Sequence, residues 1–336
     1  MRAVLTTAHG GRETLAYRTD HPDPRPGPGE VCVRVAATAL NFHDIFTRRG
    51  MPGISIPLPV IVGSDIAGEI CGLGEGVTGW SIGDRVLIDP VYSVDGKPGM
   101  LGETRDGGRA EFVTAGADML VRVPDSVSLE AAASLPLAYG TAYRMMVTRG
   151  RVRAGERVLV LGASGGVGAA CVQIGKALGA EIVACASADA KLDRLAGIGA
   201  DHLINYARRD FATAVRELFG KPRQTGRGGV DVAINFTGGD TMLPTQKCVA
   251  KGGRILTCGA TAGYDLAVDA RYWWTFEHDM IGSNGWTRDD LVTLLDWIAA
   301  GRFTPLIDRV LPLAEAAEAE RTLEDREVVG KVLLRP

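Results

Sequence analysis

The run Val158-Leu159-Val160-Leu161-Gly162-Ala163-Ser164-Gly165-Gly166-Val167-Gly168 constrains the fold of this chain more than any other segment. Four aliphatic residues ask for a buried strand, the glycines stop it, and Ala169-Ala170-Cys171-Val172-Gln173 resumes as a helix. The same alternation continues on both sides. Strands are expected at Arg157 to Leu161, Glu181 to Cys185, His202 to Ile204, Val230 to Asn235 and Arg254 to Cys258. Helices are expected at Leu129 to Thr148, Gly166 to Leu178, Asp189 to Ile198, Phe211 to Phe219 and Thr241 to Val249. Strand, helix, strand at this spacing means βαβ units, and so a parallel sheet with helices on both faces.

The glycine run fits G-x-G-x-x-G with Ala163 in the first place. Gly165 lets backbone approach a pyrophosphate, and Gly168 lets the helix pack on its strand. Free N–H groups at the helix start would hold the phosphates, so Ala163, Ser164, Gly165, Gly166, Val167 and Gly168 are candidate dinucleotide-binding residues. An NAD site places an acid at the end of the second strand, to bind the ribose 2′-hydroxyl. Here that strand ends Ala184-Cys185-Ala186-Ser187, with no carboxylate. Ser187, Lys191 and Tyr206 are read instead as partners for a 2′-phosphate, which favours NADPH. The plainer reading makes Asp189 a helix N-cap and Lys191 a solvated side chain.

Before about residue 125 the chain is different in character, with short apolar runs between Gly and Pro: Val31 to Thr38, Val60 to Asp65, Arg85 to Ile88 and Ala110 to Thr114. That pattern suggests an irregular β-rich domain. Asp89 to Gly108 reads as a loop, with turn signals at Asp95-Gly96, Pro98-Gly99 and Asp106-Gly107-Gly108. The tail carries a helix at Asp289 to Ala300, a strand at Leu306 to Leu311, a helix at Leu313 to Leu323 and a strand at Gly330 to Leu334. Pattern alone leaves open whether the tail is a third unit or returns to the first.

Composition excludes several classes. A chain of 336 residues, 46% hydrophobic and 23% charged, is globular and long enough for two folding units. The net charge of -3 gives no electrostatic reason to expect nucleic acid or a membrane surface as partner. No apolar run reaches spanning length, and Met1 to His9 reads as a first strand, not a signal peptide, so residence in the cytoplasm is expected. Cys32, Cys71, Cys171, Cys185, Cys248 and Cys258 are scattered, without any C-x-x-C pair. Buried reduced thiols are expected, not a disulfide framework or a zinc knuckle.

Several segments together resemble the medium-chain dehydrogenase/reductase superfamily over essentially the whole length. They are Gly63-Ser64-Asp65-Ile66-Ala67-Gly68, Gly74-Glu75-Gly76-Val77-Thr78, Gly83-Asp84-Arg85-Val86, Asp106-Gly107-Gly108-Arg109-Ala110-Glu111-Phe112, Thr141-Ala142-Tyr143 and the glycine run. The resemblance implies an α/β fold: a GroES-like β-rich domain plus a Rossmann doubly wound parallel sheet. It assigns residues 1–125 and 266–336 to the GroES-like domain and 126–265 to the Rossmann domain. A homodimer, joined through the strand after Gly263, is implied too.

Alcohol dehydrogenases of this superfamily hold a catalytic zinc through a Cys, a His and a second Cys. At the matching positions this chain has Asn41, Ser64 and Leu137, which do not make a three-ligand zinc site. The Asp89 to Gly108 segment matches their structural-zinc lobe without its cysteines. No zinc is expected. The pattern Ala39-Leu40-Asn41-Phe42-His43-Asp44-Ile45-Phe46-Thr47-Arg48-Arg49-Gly50 is similar to the zinc-lacking quinone oxidoreductases and enoyl reductases. Phe46 departs from it, standing where many carry a Tyr.

By resemblance, Thr141, Cys258, Gly259, Ala260, Ser283 and Asn284 would line a nicotinamide. Asn41 can bond an acceptor oxygen, and His43 can donate a proton near neutral pH, unless it merely packs against the ribose or a carbonyl. Asp44 and Asp65 would orient loops. Phe46, Tyr139, Tyr272, Trp273, Trp274 and Trp286 are candidate walls of a pocket for a small apolar substrate, aromatic or unsaturated; the alternative is ordinary core or a subunit contact. Three functions fit: reduction of a quinone or an α,β-unsaturated carbonyl compound by NADPH, metal-free carbonyl reduction or alcohol oxidation, or NADPH binding without catalysis.

Overall fold

A computed structural model of the chain describes residues 1–51, 53–94 and 96–336. Asp95, part of one expected turn, lies outside the described residues. The fold is α/β, in two compact units: Met1–Ala138 with Arg288–Pro336, and Tyr139–Thr287.

The second unit is built on six parallel strands in the spatial order His202–Asn205, Glu181–Ala186, Arg157–Val160, Val230–Ile234, Val249–Thr257, Asp279–Gly282. That is the 3-2-1-4-5-6 order of a Rossmann sheet, with the order reversing at Arg157–Val160. Both faces are covered, so the strands read as continuous apolar runs. Leu159, Val183, Cys185, Ile204, Val215, Ala233 and Ile255 share one buried cluster on this sheet. Each such aliphatic side chain contributes roughly 1.5–3 kcal/mol by leaving water.

The first unit is β-rich. A seven-stranded sheet runs Leu120–Arg122, Arg85–Ile88, Asp65–Leu73, Glu30–Ala39, Lys331–Arg335, Ile307–Pro312, and Phe112–Gly116 also pairs with Glu30–Ala39. The last strand of the chain pairs antiparallel with Glu30–Ala39, through Leu333 opposite Ala39 and Leu334 opposite Thr38. The tail therefore completes the sheet begun by the first residues. A smaller sheet joins Ala3–Thr6 to Leu15–Arg18 and Val60–Ile61.

Three expectations are corrected. Val60 to Asp65 is not one strand: Val60–Ile61 and Asp65–Leu73 belong to different sheets, separated at Gly63, whose φ is 104°. The segment from Asp89 to Gly108 is not all loop, since Val91–Val94 pairs with Lys97–Met100. The Leu129 to Thr148 helix is interrupted: Leu129–Ala133 is α-helical, and Leu135–Gly140 and Arg144–Arg149 are π-helical around Thr141–Tyr143. Pro136, which has no N–H to give, sits at the first break. The stretch after Gly263 holds a helix, Ala270–Phe276, and the sixth sheet strand, neither of which the alternation announced. No helix among the described residues is long and apolar enough to cross a membrane.

A chain of buried charges ties the two ends of the first unit together. Glu320, on helix Ala316–Glu324, accepts from Arg48 Nε at 2.6 Å and from Arg109, and Arg109 Nη2 reaches Asp44 at 3.3 Å. Burial opposes ionisation of Glu320, yet the two guanidiniums win and hold its carboxyl below the usual value of 4.5. Because its folded value is depressed, its contribution is complete above about 4.5 and fades as pH falls through the folded value. Glu320→Gln leaves two buried guanidiniums short of a counter-charge and should cost about 3–5 kcal/mol in denaturant melts at pH 7. That gap should narrow below about pH 4.5; a cost near zero at pH 7 would contradict this role.

Candidate active site

The glycine run folds as its composition demands. Strand Arg157–Val160 ends, and helix Gly166–Ala177 starts from Gly165 with no side-chain cap on its first-turn N–H groups. A Cβ on Gly168 would lie 2.3 Å from the Gly162 carbonyl oxygen, so only glycine lets the helix pack this tightly. Uncapped N–H groups beside Ala163, Ser164 and Gly165 form a ready anion cradle.

At the end of the next strand, Tyr206 N donates to Ala186 O at 3.1 Å, which puts Tyr206 beside Ser187. Lys191 follows on helix Asp189–Ala196. The plainer reading, with Asp189 as the helix N-cap, is corrected: Ala188 is the cap, and Asp189 is the first helical residue. Its carboxylate accepts from Asn205 Nδ2 at 2.6 Å and pairs with Arg208 at 2.5 Å. Arg208 was not among the expected residues, and it pairs with the carboxylate of Asp189, two residues after Ser187.

The C-terminal ends of the following strands hold another group together. Ser283 N donates to Thr257 O at 2.9 Å, setting Ser283 and Asn284 next to Cys258, Gly259 and Ala260. The Ser283 hydroxyl is buried without a partner, a polar atom that a ligand can satisfy. Burial pushes the Cys258 thiol up to about 12, so it stays neutral. Thr141 belongs to the same unit and is almost wholly buried. These residues fit a dinucleotide: a phosphate cradle, a cationic end without a free acid, and an unsatisfied hydroxyl at the strand ends.

In the first unit, Asn41 precedes helix Phe42–Arg49, and Asp44 reaches back to accept from Asn41 N at 2.9 Å. Lys331, buried on the last strand, donates to Asn41 Oδ1 at 2.5 Å, to Leu40 O at 3.0 Å and to Asp65 Oδ2 at 3.1 Å. The other Asp65 oxygen accepts from Leu137 N at 2.9 Å. Lys331 and Asp65 thus gather two of the positions that hold zinc in alcohol dehydrogenases, Asn41 and Leu137, while Ser64 precedes Asp65 with its hydroxyl buried and unpartnered. An ammonium already occupies the Asn41 oxygen, Leu137 offers no donor side chain, and Ser64 alone cannot hold Zn²⁺. The residues do not fit a catalytic zinc. No cluster of three or more His, Cys, Asp or Glu able to hold a metal occurs among the described residues.

Because ammonium only donates, Lys331 fixes the Asn41 amide with Oδ1 inward. Nδ2 is left with one long contact, 3.5 Å to Ala39 O, and is the atom able to donate to a ligand. Two positions on, His43 Nε2 meets Glu103 Oε2 at 2.7 Å. Burial opposes protonation of the ring, but the bond to Glu103 and the charges of Asp44 and Asp65 outweigh it, and the His43 pKa lies above its usual 6.5. Glu103 sits on the turn after Lys97–Met100, and its sequence distance from His43 hid the pair.

Phe46 lies on the same helix as His43, half-exposed, with its ring 6.2 Å from that of Phe42. Trp273 and Trp274 lie on Ala270–Phe276 in the second unit, and Trp274 is 68% exposed. Tyr139 is corrected as a pocket wall: it is fully buried and its hydroxyl donates to Gln173 Oε1 at 2.6 Å, so it is core.

Comparison with known proteins agrees with this architecture. Residues 27–125 match the alcohol dehydrogenase GroES-like domain, and residues 166–300 match the zinc-binding dehydrogenase domain. The chain is 34% identical to an acryloyl-coenzyme A reductase of Metallosphaera sedula, across 99% of both proteins. It is 29% identical to the quinone oxidoreductase of Mus musculus, across 99% of this chain and 97% of that one. A crystal structure described as an NAD-dependent alcohol dehydrogenase superposes with a TM-score of 0.92 at 37% identity, covering 100% of both chains. The uncapped glycine helix, the Rossmann strand order and these similarities along the full length lead to one conclusion: the chain belongs to the medium-chain dehydrogenase/reductase superfamily and is an enzyme of that superfamily.

Proposed function

We propose that this enzyme is a zinc-independent, NADPH-dependent reductase of an α,β-unsaturated carbonyl compound or a quinone. The observation that carries the proposal is the His43–Glu103 pair, a positioned imidazole acid close in sequence to the Asn41 amide, in a cluster without a zinc donor set. The similarity to an acryloyl-coenzyme A reductase and a quinone oxidoreductase supports an acceptor whose C=C is conjugated to a C=O.

When bound, the dihydronicotinamide supplies the hydride. The first-turn N–H groups of Gly166–Ala177 would hold the pyrophosphate, and Ser187, Lys191 and Tyr206 would hold the 2′-phosphate. Ser283, Asn284, Thr141 and the backbone of Cys258 to Ala260 would orient the nicotinamide end. Asn41 Nδ2 donates to the acceptor oxygen and stabilises the negative charge that develops there. His43 then gives the proton that completes reduction. Phe46 would supply flat apolar surface for the acceptor and has no proton to give; Trp273 and Trp274 are candidate pocket residues of the second unit. A homodimer forms through the outer edge of Asp279–Gly282, which ends the parallel sheet.

Carbonyl reduction is the second reading, favoured by the likeness to a structure described as an alcohol dehydrogenase. A panel of enones, quinones, aldehydes and ketones, followed by NADPH absorbance with and without chelator, separates the readings. Enones or quinones should turn over fastest and chelator should change nothing; loss of activity with chelator would remove zinc independence. His43→Ala should lower kcat about 100-fold or more, and an unchanged kcat would remove His43 from the reaction. In the parent enzyme the rate should fall on the alkaline side, above the usual histidine value of 6.5, because the protonated ring is the active form. Lys191→Ala should raise the KM for NADPH about tenfold and leave that for NADH unchanged; an intact preference would argue against the 2′-phosphate assignment.

A further inference from the structure

We infer that Glu103 fixes the tautomer of His43, so that Nδ1 is the nitrogen that delivers the proton; the inference rests on the proposed reductase chemistry. A carboxylate can only accept, so the ring nitrogen 2.7 Å from Glu103 Oε2 carries a hydrogen in both the charged and the neutral ring. Nδ1 makes no hydrogen bond among the described residues. The imidazole is 28% exposed and the Glu103 side chain 11%. The open nitrogen is therefore Nδ1, and the held nitrogen is Nε2.

The turn that carries Glu103 is built to hold it there. Gly102 has φ 79°, and a Cβ on it would lie 2.6 Å from Gly63 N, so the chain can turn here only as glycine. Gly102 N donates to Arg105 O at 2.8 Å and Glu103 N to Met100 O at 3.2 Å. Gly107 N bonds Ile61 O at 2.6 Å and Gly108 N bonds Gly63 O at 2.7 Å. On the other side, the His43 helix is anchored by Asp44, which Arg109 holds. Asp44 from the ring's own helix, Glu103 from this turn and Asp65 from the neighbouring strand are the carboxylates that act on the ring.

The proton balance follows. The imidazolium gives its Nδ1 proton to the reduced acceptor, at the α-carbon of an enone or the oxygen of a quinone. The neutral ring keeps its Nε2–H on Glu103, and solvent returns a proton to Nδ1. With the hydride from NADPH, the acceptor gains two hydrogens. Glu103 touches neither substrate nor cofactor and is a positioning residue.

Nitrogen-15 NMR of the labelled wild-type enzyme, at a pH where His43 is neutral, tests the tautomer without a substrate; His43→Gln assigns the signal. Protonated Nε2 with bare Nδ1 is expected, and the opposite tautomer would overturn the inference. Glu103→Gln should lower kcat about tenfold or more, with the KM for NADPH within about twofold, and Glu103→Asp should recover part of the loss. In a His43→Ala background Glu103→Gln should cost nothing further; an equal loss in both backgrounds would make Glu103 merely structural and overturn the inference. Normal turnover by His43→Ala would instead defeat the acid role of His43, and with it Nδ1 as the donor, while the tautomer signal stood. Normal turnover by Glu103→Gln, with His43→Ala inactive, would defeat this inference alone.

Discussion

The ammonium of Lys331 is the interaction on which the polar cluster depends. It is nearly fully buried, and it spends its three hydrogens on Leu40 O, Asn41 Oδ1 and Asp65 Oδ2. Burying such a charge offsets most of what its bonds return, so net stability is a poor reason for its presence. Its effect is geometric. One side chain from the end of the chain orients the Asn41 amide, holds Asp65 under Leu137 and occupies the oxygen that a metal would need. The Glu320 pairing with Arg48 and Arg109 does similar work one layer away, locking the His43 helix to Ala316–Glu324.

The proposed metal-free reaction rests on this arrangement. A zinc site polarises an oxygen and manages a proton through one ion. In the proposed reaction the two tasks fall to neighbouring side chains: the amide of Asn41 for the oxygen, and the imidazole of His43 for the proton. Each is held by a charged partner, Asn41 by Lys331 and His43 by Glu103. Preorganised donors of this kind need no reorganisation as charge develops.

What the sequence made legible follows the range of the interactions involved. The Rossmann strands and the glycine run were readable because strand periodicity, glycine placement and helix composition are local properties. Asp279–Gly282 was not, since four residues after an unannounced aromatic helix carry too short a pattern. Neither the break in the Ala-rich helix at Pro136 nor its π-helical turns were read from the sequence, which suggested one helix from Leu129 to Thr148. In the candidate site, Asn41, Ser64 and Leu137 were visible through a family pattern. Their partners were not: Glu103 is 60 residues from His43, and Lys331 is 290 from Asn41. Tyr139 was misjudged for the same reason, because its partner Gln173 lies on another helix. Contacts of that range exist only once the sheet has formed.

The most direct test of the central claim follows the hydride itself. Enzyme whose metal content has been measured as nil is given NADPH carrying deuterium at both C4 positions and an enone, in ordinary water, and the product is analysed by NMR. Metal-free hydride transfer with a separate proton donor predicts deuterium at the β-carbon and hydrogen from water at the α-carbon. Product without deuterium, or product formed only after zinc is added back, would contradict it.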